Sequence, residues 1–205
     1  MSDQDAFDDY LRCKEIPVDT SSLETLCIAI GPYRNLTTLT ASILFLHPQC
    51  QVLNHAAGRV LTIPEVNFFE GYAPEKLEAF AHHAICLSGG GRRGHYGGSV
   101  LLAHAFADNE ELQSLYRRRF GEQTVKDRVR CLFWKDSMAV TNYIKYNKAV
   151  DLDALLAAEP RIKFLMPIRH PIDCAVSNMR RGSMAKTFVG LAEHDLPNLL
   201  YGVIR

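Results

Sequence analysis

The sequence has no net charge, no long apolar segment and no closely spaced pair of cysteines. Its 205 residues contain 23 Lys and Arg against 23 Asp and Glu. Without a global positive field, the chain lacks what non-specific binding to nucleic acid or to a membrane surface normally uses. We therefore expect no nucleic-acid partner, and any anion-binding site must be built locally.

Long apolar segments are also missing. The longest stretch without a charged residue, residues 35–58, is interrupted by polar side chains and falls short of the ~20 apolar residues that span a membrane. The acidic beginning, residues 1–10, has no apolar core typical of export signals, and Ser2 stands where myristoylation requires Gly. We expect a cytoplasmic protein with no membrane span, in which residues 1–22 are loosely ordered.

The cysteines indicate a reducing environment. They are scattered, without a C-x-x-C spacing, at positions 13, 27, 50, 86, 131 and 174. Reduced thiols fit this pattern better than disulfides or a zinc site. The composition, 47% hydrophobic and 22% charged, is that of one globular domain over residues 1–205.

Four short apolar runs alternate with helical patterns along the chain. The runs predict strands at residues 23–31, 49–55, 129–134 and 161–170, each followed by helical periodicity. This alternation predicts an α/β fold, a three-layer sandwich with a mostly parallel central sheet. Ligands of such folds gather at the carboxyl ends of the strands.

A first candidate site is the segment GPYRNLTTL, residues 31–39, between a predicted strand and a predicted helix. Its backbone N–H groups and the positive end of the helix dipole suit an anion, with Arg34 adding charge and Thr37 and Thr38 adding hydroxyls. It is not a nucleoside-triphosphate loop, because it has Leu36 and no Lys where that motif needs Gly and Lys. An ordinary strand-to-helix turn is the alternative.

A second candidate site follows the fourth predicted strand. Arg169 stands at the strand tip and Ser177 lies eight residues later, about two turns into a helix beginning near Pro171. An Arg with a hydroxyl is a phosphate-binding pair. The alternative is that Arg169 only pairs with Asp173 and that Ser177 faces solvent.

Together these motifs resemble the sulfotransferases that use 3′-phosphoadenosine 5′-phosphosulfate (PAPS), in their bacterial and Golgi-type branch. The family loop P-R-S-G-T-T-L is similar to P-Y-R-N-L-T-T-L here, and WKDS at 134–137 and the block 158–177 match later family segments. The likeness covers residues 24–60 and 128–185. It implies a P-loop NTPase-like topology and PAPS as the co-substrate.

The resemblance also implies roles for individual residues. The first motif would hold the 5′-phosphosulfate through Arg34, Asn35, Leu36, Thr37, Thr38 and Leu39, and Arg169 with Ser177 would hold the 3′-phosphate. The chain departs from the family in having Leu36 for the loop Gly and Asn35 for a small Ser, and it shows no R-K-G-like segment before its end. We therefore expect the C-terminal part of the family fold to be missing.

Catalysis by such a site needs positive charge at the leaving phosphate and a base for the acceptor. The resemblance assigns the charge to Arg34 and Lys135, and it makes His55, just past the second strand, the best-placed base. A structural or surface His and a solvated Lys are the alternatives. The family reaction uses no metal, and none is expected.

Two other functions remain as alternatives. A nucleotide kinase would use the same loop for ATP and Asp136 as a metal ligand, and a non-catalytic module would keep the fold without the chemistry. The acceptor, small-molecule or carbohydrate, stays unidentified, as does the oligomeric state. In the Gly-rich loop 88–98, Arg92, Arg93 and His95 would close over the acceptor, unless this is a plain surface loop.

Overall fold

One sheet with helices on both faces organises the chain. The computed structural model describes residues 3–90, 98–182, 186 and 188–204. The strands are β1 (Thr25–Ala29), β2 (Cys50–Asn54), β3 (Gly98–Ser99), β4 (Cys131–Lys135) and β5 (Ile162–Leu165). The helices are α1 (Asp3–Lys14), α2 (Thr37–Phe45), α3 (Ala57–Val60), α4 (Pro74–Ser88), α5 (His104–Ala107), α6 (Glu110–Phe120), α7 (Ser137–Tyr146), α8 (Leu152–Ala158), α9 (Pro171–Met179) and α10 (Leu196–Ile204), with a 3₁₀ turn at Val100–Leu102.

The strand order across the sheet is β3-β2-β4-β1-β5. The pairs β2–β4, β4–β1 and β1–β5 are parallel, and β3 alone pairs antiparallel, through Leu53 with Ser99 and Asn54 with Gly98. The prediction of an α/β fold with a mostly parallel sheet is confirmed. Strand β3 was not predicted, because two residues carry no periodic signal and the surrounding segment has a helical pattern.

Alternating strand side chains build a core on each face of the sheet. One core contains Ile28, Leu53 and Trp134 and packs against α1, α4 and α7; the other contains Val52 and Phe133 and packs against α2, α5 and α6. Strands β1, β2 and β4 therefore have buried or half-buried side chains on both faces, whereas the edge strand β5 exposes Lys163. This burial explains the apolar runs in the sequence. None of the described helices is long and apolar enough to cross a membrane.

The N-terminal segment corrects one prediction. Residues 1–22 were expected to be loosely ordered, but Asp3–Lys14 form α1, which buries Ala6, Tyr10 and Cys13 in the core. These three residues have the i, i+4, i+7 spacing of one helix face. The acidic residues around them occupy the remaining surface, and Asp9 also pairs with Arg59 at 3.0 Å.

The buried Lys126 packs between the C-terminal end of α2 and helix α6. Lys126 Nζ lies 4.5 Å from the ring centroid of Phe45, 4.2 Å from that of Tyr116 and 3.1 Å from that of Phe120, and it donates to Tyr116 Oη at 3.2 Å. Burial lowers the pKa of Lys126 to about 8, and the nearby Cys50 opposes this only in part. Contacts with the aromatic rings offset only part of the free energy that the ammonium group of Lys126 loses when it leaves water.

This burial predicts a pH-dependent stability. Folding lowers the pKa of Lys126 from 10.5 to about 8, so between pH 8 and pH 10.5 the native state binds fewer protons than the unfolded state. The buried charge lowers the free energy of unfolding at pH 8, and this loss of stability disappears as the pH rises to 10.5. The stability advantage of Lys126→Met over the wild type should therefore shrink from pH 8 towards pH 10.5. Chemical denaturation across this range measures it, with Lys163→Met, an exposed lysine of β5, as the net-charge control. A difference that does not change with pH would contradict the assignment.

Candidate functional site

The segment between β1 and α2 is a tight loop with three residues at positive φ. Gly31 has φ 102°, Arg34 φ 65° and Leu36 φ 60°. A Cβ added at Gly31 would lie 3.1 Å from Met166 Cγ, so glycine allows this close approach as well as the backbone angle. Leu36 occupies the left-handed region that costs a non-glycine residue about 1 kcal/mol or more.

Helix α9 supports this loop through side chains on one of its faces. Asn178 Nδ2 donates to Tyr33 O at 2.8 Å, and Cys174 Sγ lies 3.3 Å from the same oxygen. Arg34 Nε donates to Ser177 Oγ at 2.9 Å. Positions 174, 177 and 178 follow the i, i+3, i+4 spacing of a helix face, so α9 presents all three to the loop.

The segment after β5 and helix α7 make further bonds to the loop. Arg169 donates from Nη1 to Arg34 O at 3.3 Å, and Asn35 Nδ2 donates to Pro167 O. On the other side, Gly31 N donates to Thr141 Oγ1 of α7 at 2.9 Å. The structure therefore brings together the two motifs, which lie 135 residues apart between Arg34 and Arg169. Ser177 contacts Arg34, as one site requires, instead of facing solvent.

The remaining residues of the first motif form the beginning of α2. The first bond from the helix runs from Thr40 N to Leu36 O at 2.9 Å, so the N–H groups of Thr37, Thr38 and Leu39 precede it and suit an anion. Thr37 is buried, whereas the side chains of Leu36 and Leu39 are exposed. These two leucines offer an anion their backbone only.

A second group of polar residues lies at the ends of β2 and β4. His55 directly follows β2, and its N–H donates to Lys135 O at 3.0 Å, one step beyond the strand ladder. Its ring lies between two charged groups: Nδ1 is 3.2 Å from Asp136 Oδ1, and Nε2 is 2.5 Å from Lys135 Nζ. Asp136, His55 and Lys135 thus form a continuous hydrogen-bonded relay.

Backbone contacts anchor the relay at its carboxylate end. Asp136 Oδ2 accepts from Ala56 N at 2.8 Å and from Ala57 N at 2.6 Å, at the beginning of α3. Burial opposes ionisation of Asp136, but the hydrogen bonds from His55 and these N–H groups outweigh it and lower its pKa. An ionised carboxylate can only accept, so His55 Nδ1 carries the proton and Nε2 accepts from Lys135.

Lys135 is the charged residue at the other end of the relay. Lys135 is 5% exposed, and this burial lowers its pKa to about 8. The negative charge of Asp136 opposes that shift, and the positive charge of Arg34 adds to it. Of the three predicted catalytic residues, His55 and Lys135 are in direct contact, and Arg34 belongs to the loop.

Asp136 was weighed in the sequence only as a metal ligand, and the structure gives it another role. Asp136 is 4% exposed, and both of its carboxylate oxygens already accept hydrogen bonds. Among the described residues, no group of three or more His, Cys, Asp or Glu side chains is arranged to hold a metal ion.

Sequence reasoning missed several supporting residues. Cys174 and Asn178 were detectable from their spacing to Ser177, whereas Thr141 gave no signal before the strand order was known. The predicted lid residues Arg92, Arg93 and His95 lie outside the described residues.

Comparisons with known proteins add no family assignment. Neither the family models, nor the curated proteins, nor the solved structures give a match to this chain.

The left-handed conformation of Leu36 makes a direct prediction. Replacement of Leu36, which is 43% exposed, by glycine removes the steric cost at φ 60° and should raise the free energy of unfolding by up to about 1 kcal/mol. Leu39→Gly is the matched control, because Leu39 is exposed within α2 and glycine there should lower it by about 1 kcal/mol. Urea denaturation of both variants measures this. Equal destabilisation by the two changes would show that the loop does not have this conformation.

Proposed function

We propose that the chain is a sulfotransferase that moves a sulfuryl group from 3′-phosphoadenosine 5′-phosphosulfate to a hydroxyl or amine acceptor. The observation that carries this proposal is the meeting of Arg34, Arg169 and Ser177 at the beginning of α2. Two guanidinium groups, a hydroxyl and unused helix N–H groups suit a ligand with more than one phosphate-type group. The sequence resemblance to PAPS-dependent sulfotransferases assigns the same three residues to the nucleotide site.

The topology supports a ligand at this place. Strands β1 and β4 are neighbours, yet α2 after β1 and α7 after β4 pack on opposite faces of the sheet. Such a divergence opens a crevice at the carboxyl ends of the two strands, where α/β proteins bind their ligands. In chain order, the four parallel strands lie second, third, first, fourth across the sheet, which suits the proposed P-loop NTPase-like topology.

The relay supplies the acid–base chemistry of the proposed reaction. The bond between sulfur and the bridging phosphate oxygen breaks, a bond between sulfur and the acceptor atom forms, and the acceptor proton passes to His55 Nε2. Asp136 keeps the Nδ1 proton in place and stabilises the imidazolium. The negative charge left on the departing phosphate is stabilised by Arg34, Lys135 and the N-terminus of α2.

The same geometry makes a nucleotide kinase the weaker proposal. Phosphoryl transfer from ATP uses Mg²⁺ held by a carboxylate, and the hydrogen bonds on both oxygens of Asp136 leave that residue committed to His55 and the backbone. The loop also lacks the Gly-Lys pair that binds the triphosphate.

Binding of adenosine 3′,5′-bisphosphate tests the nucleotide site. We expect calorimetric titration to show binding that is unchanged by Mg²⁺ or by chelator, and we expect Arg169→Ala to weaken it at least tenfold, because a charge-assisted hydrogen bond is lost. Arg181→Ala, an exposed arginine just after α9, is the matched control and should bind like the wild type.

The outcomes separate the three candidate functions. Binding followed by transfer from radiolabelled PAPS to a panel of phenol, carbohydrate and peptide acceptors supports the sulfotransferase. Binding of ATP that requires Mg²⁺ would support the kinase instead. A folded protein that binds neither nucleotide would overturn the proposal in favour of the non-catalytic module.

A further inference from the structure

Two cysteines that the proposed reaction does not use meet where α1 packs on α4. Tyr10 of α1 and His83 of α4 make an edge-to-face ring contact, with their centroids 5.5 Å apart. Cys13 lies three residues after Tyr10, and Cys86 lies three residues after His83, so each cysteine is one turn further along the same helix face. There the two thiols share a hydrogen bond, and both pack in the same core cluster.

The two thiols differ in their exposure and in how readily they ionise. Cys13 is 5% exposed, whereas Cys86 is half-buried. The hydrogen bond between the thiols lowers the pKa of Cys86 and raises the pKa of Cys13. Because the thiolate is the reactive form of cysteine, Cys86 is the sulfur that reacts with an oxidant from solution. Cys13 is then the neighbouring thiol that can complete a disulfide.

A second close pair of thiols lies in the sheet and is worse placed for a disulfide. Cys50 and Cys131 are direct partners on the parallel strands β2 and β4, and they also share a hydrogen bond. The strand ladder sets the spacing of such partners at about 4.8 Å, whereas a disulfide holds its two Cβ atoms about 3.8 Å apart. No ladder fixes the separation of two packed helices. The pair between α1 and α4 therefore needs the smaller backbone movement.

We propose that Cys13 and Cys86 are an oxidative modification site, at which a peroxide converts the two thiols into a disulfide that attaches α1 to α4. The Cys86 thiolate attacks one peroxide oxygen, the O–O bond breaks, and Cys86 becomes a sulfenic acid. The Cys13 sulfur then attacks the Cys86 sulfur, so that the S–S bond forms and the sulfenic oxygen leaves as water. In sum, two thiols and one hydrogen peroxide give one disulfide and two waters.

The expected effect of this disulfide is a reversible gain in stability. Helix α1 contributes one face to the core, through Ala6, Tyr10 and Cys13. A cross-link from Cys13 to Cys86 restricts the unfolded chain between these positions and thereby favours the folded state. In the reducing environment that the sequence predicts, disulfides are transient and respond to oxidants, and a dithiol reductant returns both thiols.

Peptide mapping of the full chain tests the modification. After treatment with hydrogen peroxide, the protein should lose the mass of two hydrogens, and two of its six thiols should no longer react with N-ethylmaleimide. A proteolytic map without reductant should show the peptides of Cys13 and Cys86 joined. Dithiothreitol should separate them and restore all six reactive thiols.

Matched variants separate this pair of thiols from the pair in the sheet. Cys131→Ser is the control, because Cys131, like Cys86, is half-buried and hydrogen-bonded to a buried cysteine. It should form the same disulfide as the wild type, whereas Cys86→Ser should not, and Cys13→Ser should stop at the Cys86 sulfenic acid, which dimedone traps. Oxidation should raise the melting temperature of the wild type and of Cys131→Ser by roughly 10 °C, and that of the other two variants should not rise.

The map of the wild type decides the proposal even where a serine variant does not fold. A disulfide between other cysteines, a cross-link between two chains, or six reactive thiols after oxidation overturns it. Formation of this disulfide without a rise in melting temperature overturns its stabilising effect. The sulfotransferase proposal is tested separately, because neither Cys13 nor Cys86 belongs to its site.

Discussion

Two adjacent charged residues at the end of β4 set the constraint around which the site is built. Lys135 and Asp136 are both about 95% buried, and an isolated buried charge is strongly unfavourable. Asp136 is stabilised by the backbone at the beginning of α3 and by the His55 ring. Among the described residues, the direct partner of the Lys135 ammonium group is Nε2 of that ring. The relay thus has a carboxylate stabilised by hydrogen bonds at one end and the Lys135 cation at the other.

Arg34 and Arg169 add two more cations next to the N-terminus of α2, although the whole chain is neutral. A neutral protein can have such a local positive field because its acidic residues lie elsewhere, as in α1, which has four Asp against one Arg and one Lys. These cations lie near the ends of β1 and β4, where the connections diverge to opposite faces of the sheet, which is the position at which α/β folds bind their ligands.

The sequence was sufficient for the parts that depend on local pattern. The four parallel strands appeared as apolar runs because their side chains contribute to the cores on the two faces of the sheet, although Lys163 of the edge strand β5 is exposed. The cluster of Arg34, Arg169 and Ser177 followed from two strand ends that a parallel sheet places together. The sequence pattern did not predict the elements that depend on pairing or packing with distant parts of the chain. Strand β3 exists only because β2 offers an edge to Gly98 and Ser99, and the stripe that buries α1 was hidden among acidic residues. His55, Lys135 and Asp136 were each noticed, but their order as a relay depends on β2 and β4 being neighbours, which no spacing along the chain reveals.

Contacts from neighbouring segments stabilise a loop conformation that glycine would otherwise favour. Leu36 and Arg34 hold left-handed angles that glycine adopts at no steric cost, so the conformation must be stabilised by its surroundings. Helix α9 bonds to Tyr33 O, Arg169 bonds to Arg34 O, and Asn35 bonds to Pro167 O. These bonds occupy loop carbonyl oxygens and leave the N–H groups at the beginning of α2 for a ligand. Leucine in place of glycine therefore makes the loop depend on its neighbours without turning its donors away from an anion, and the departure from the glycine-containing pattern is compatible with an anion-binding role.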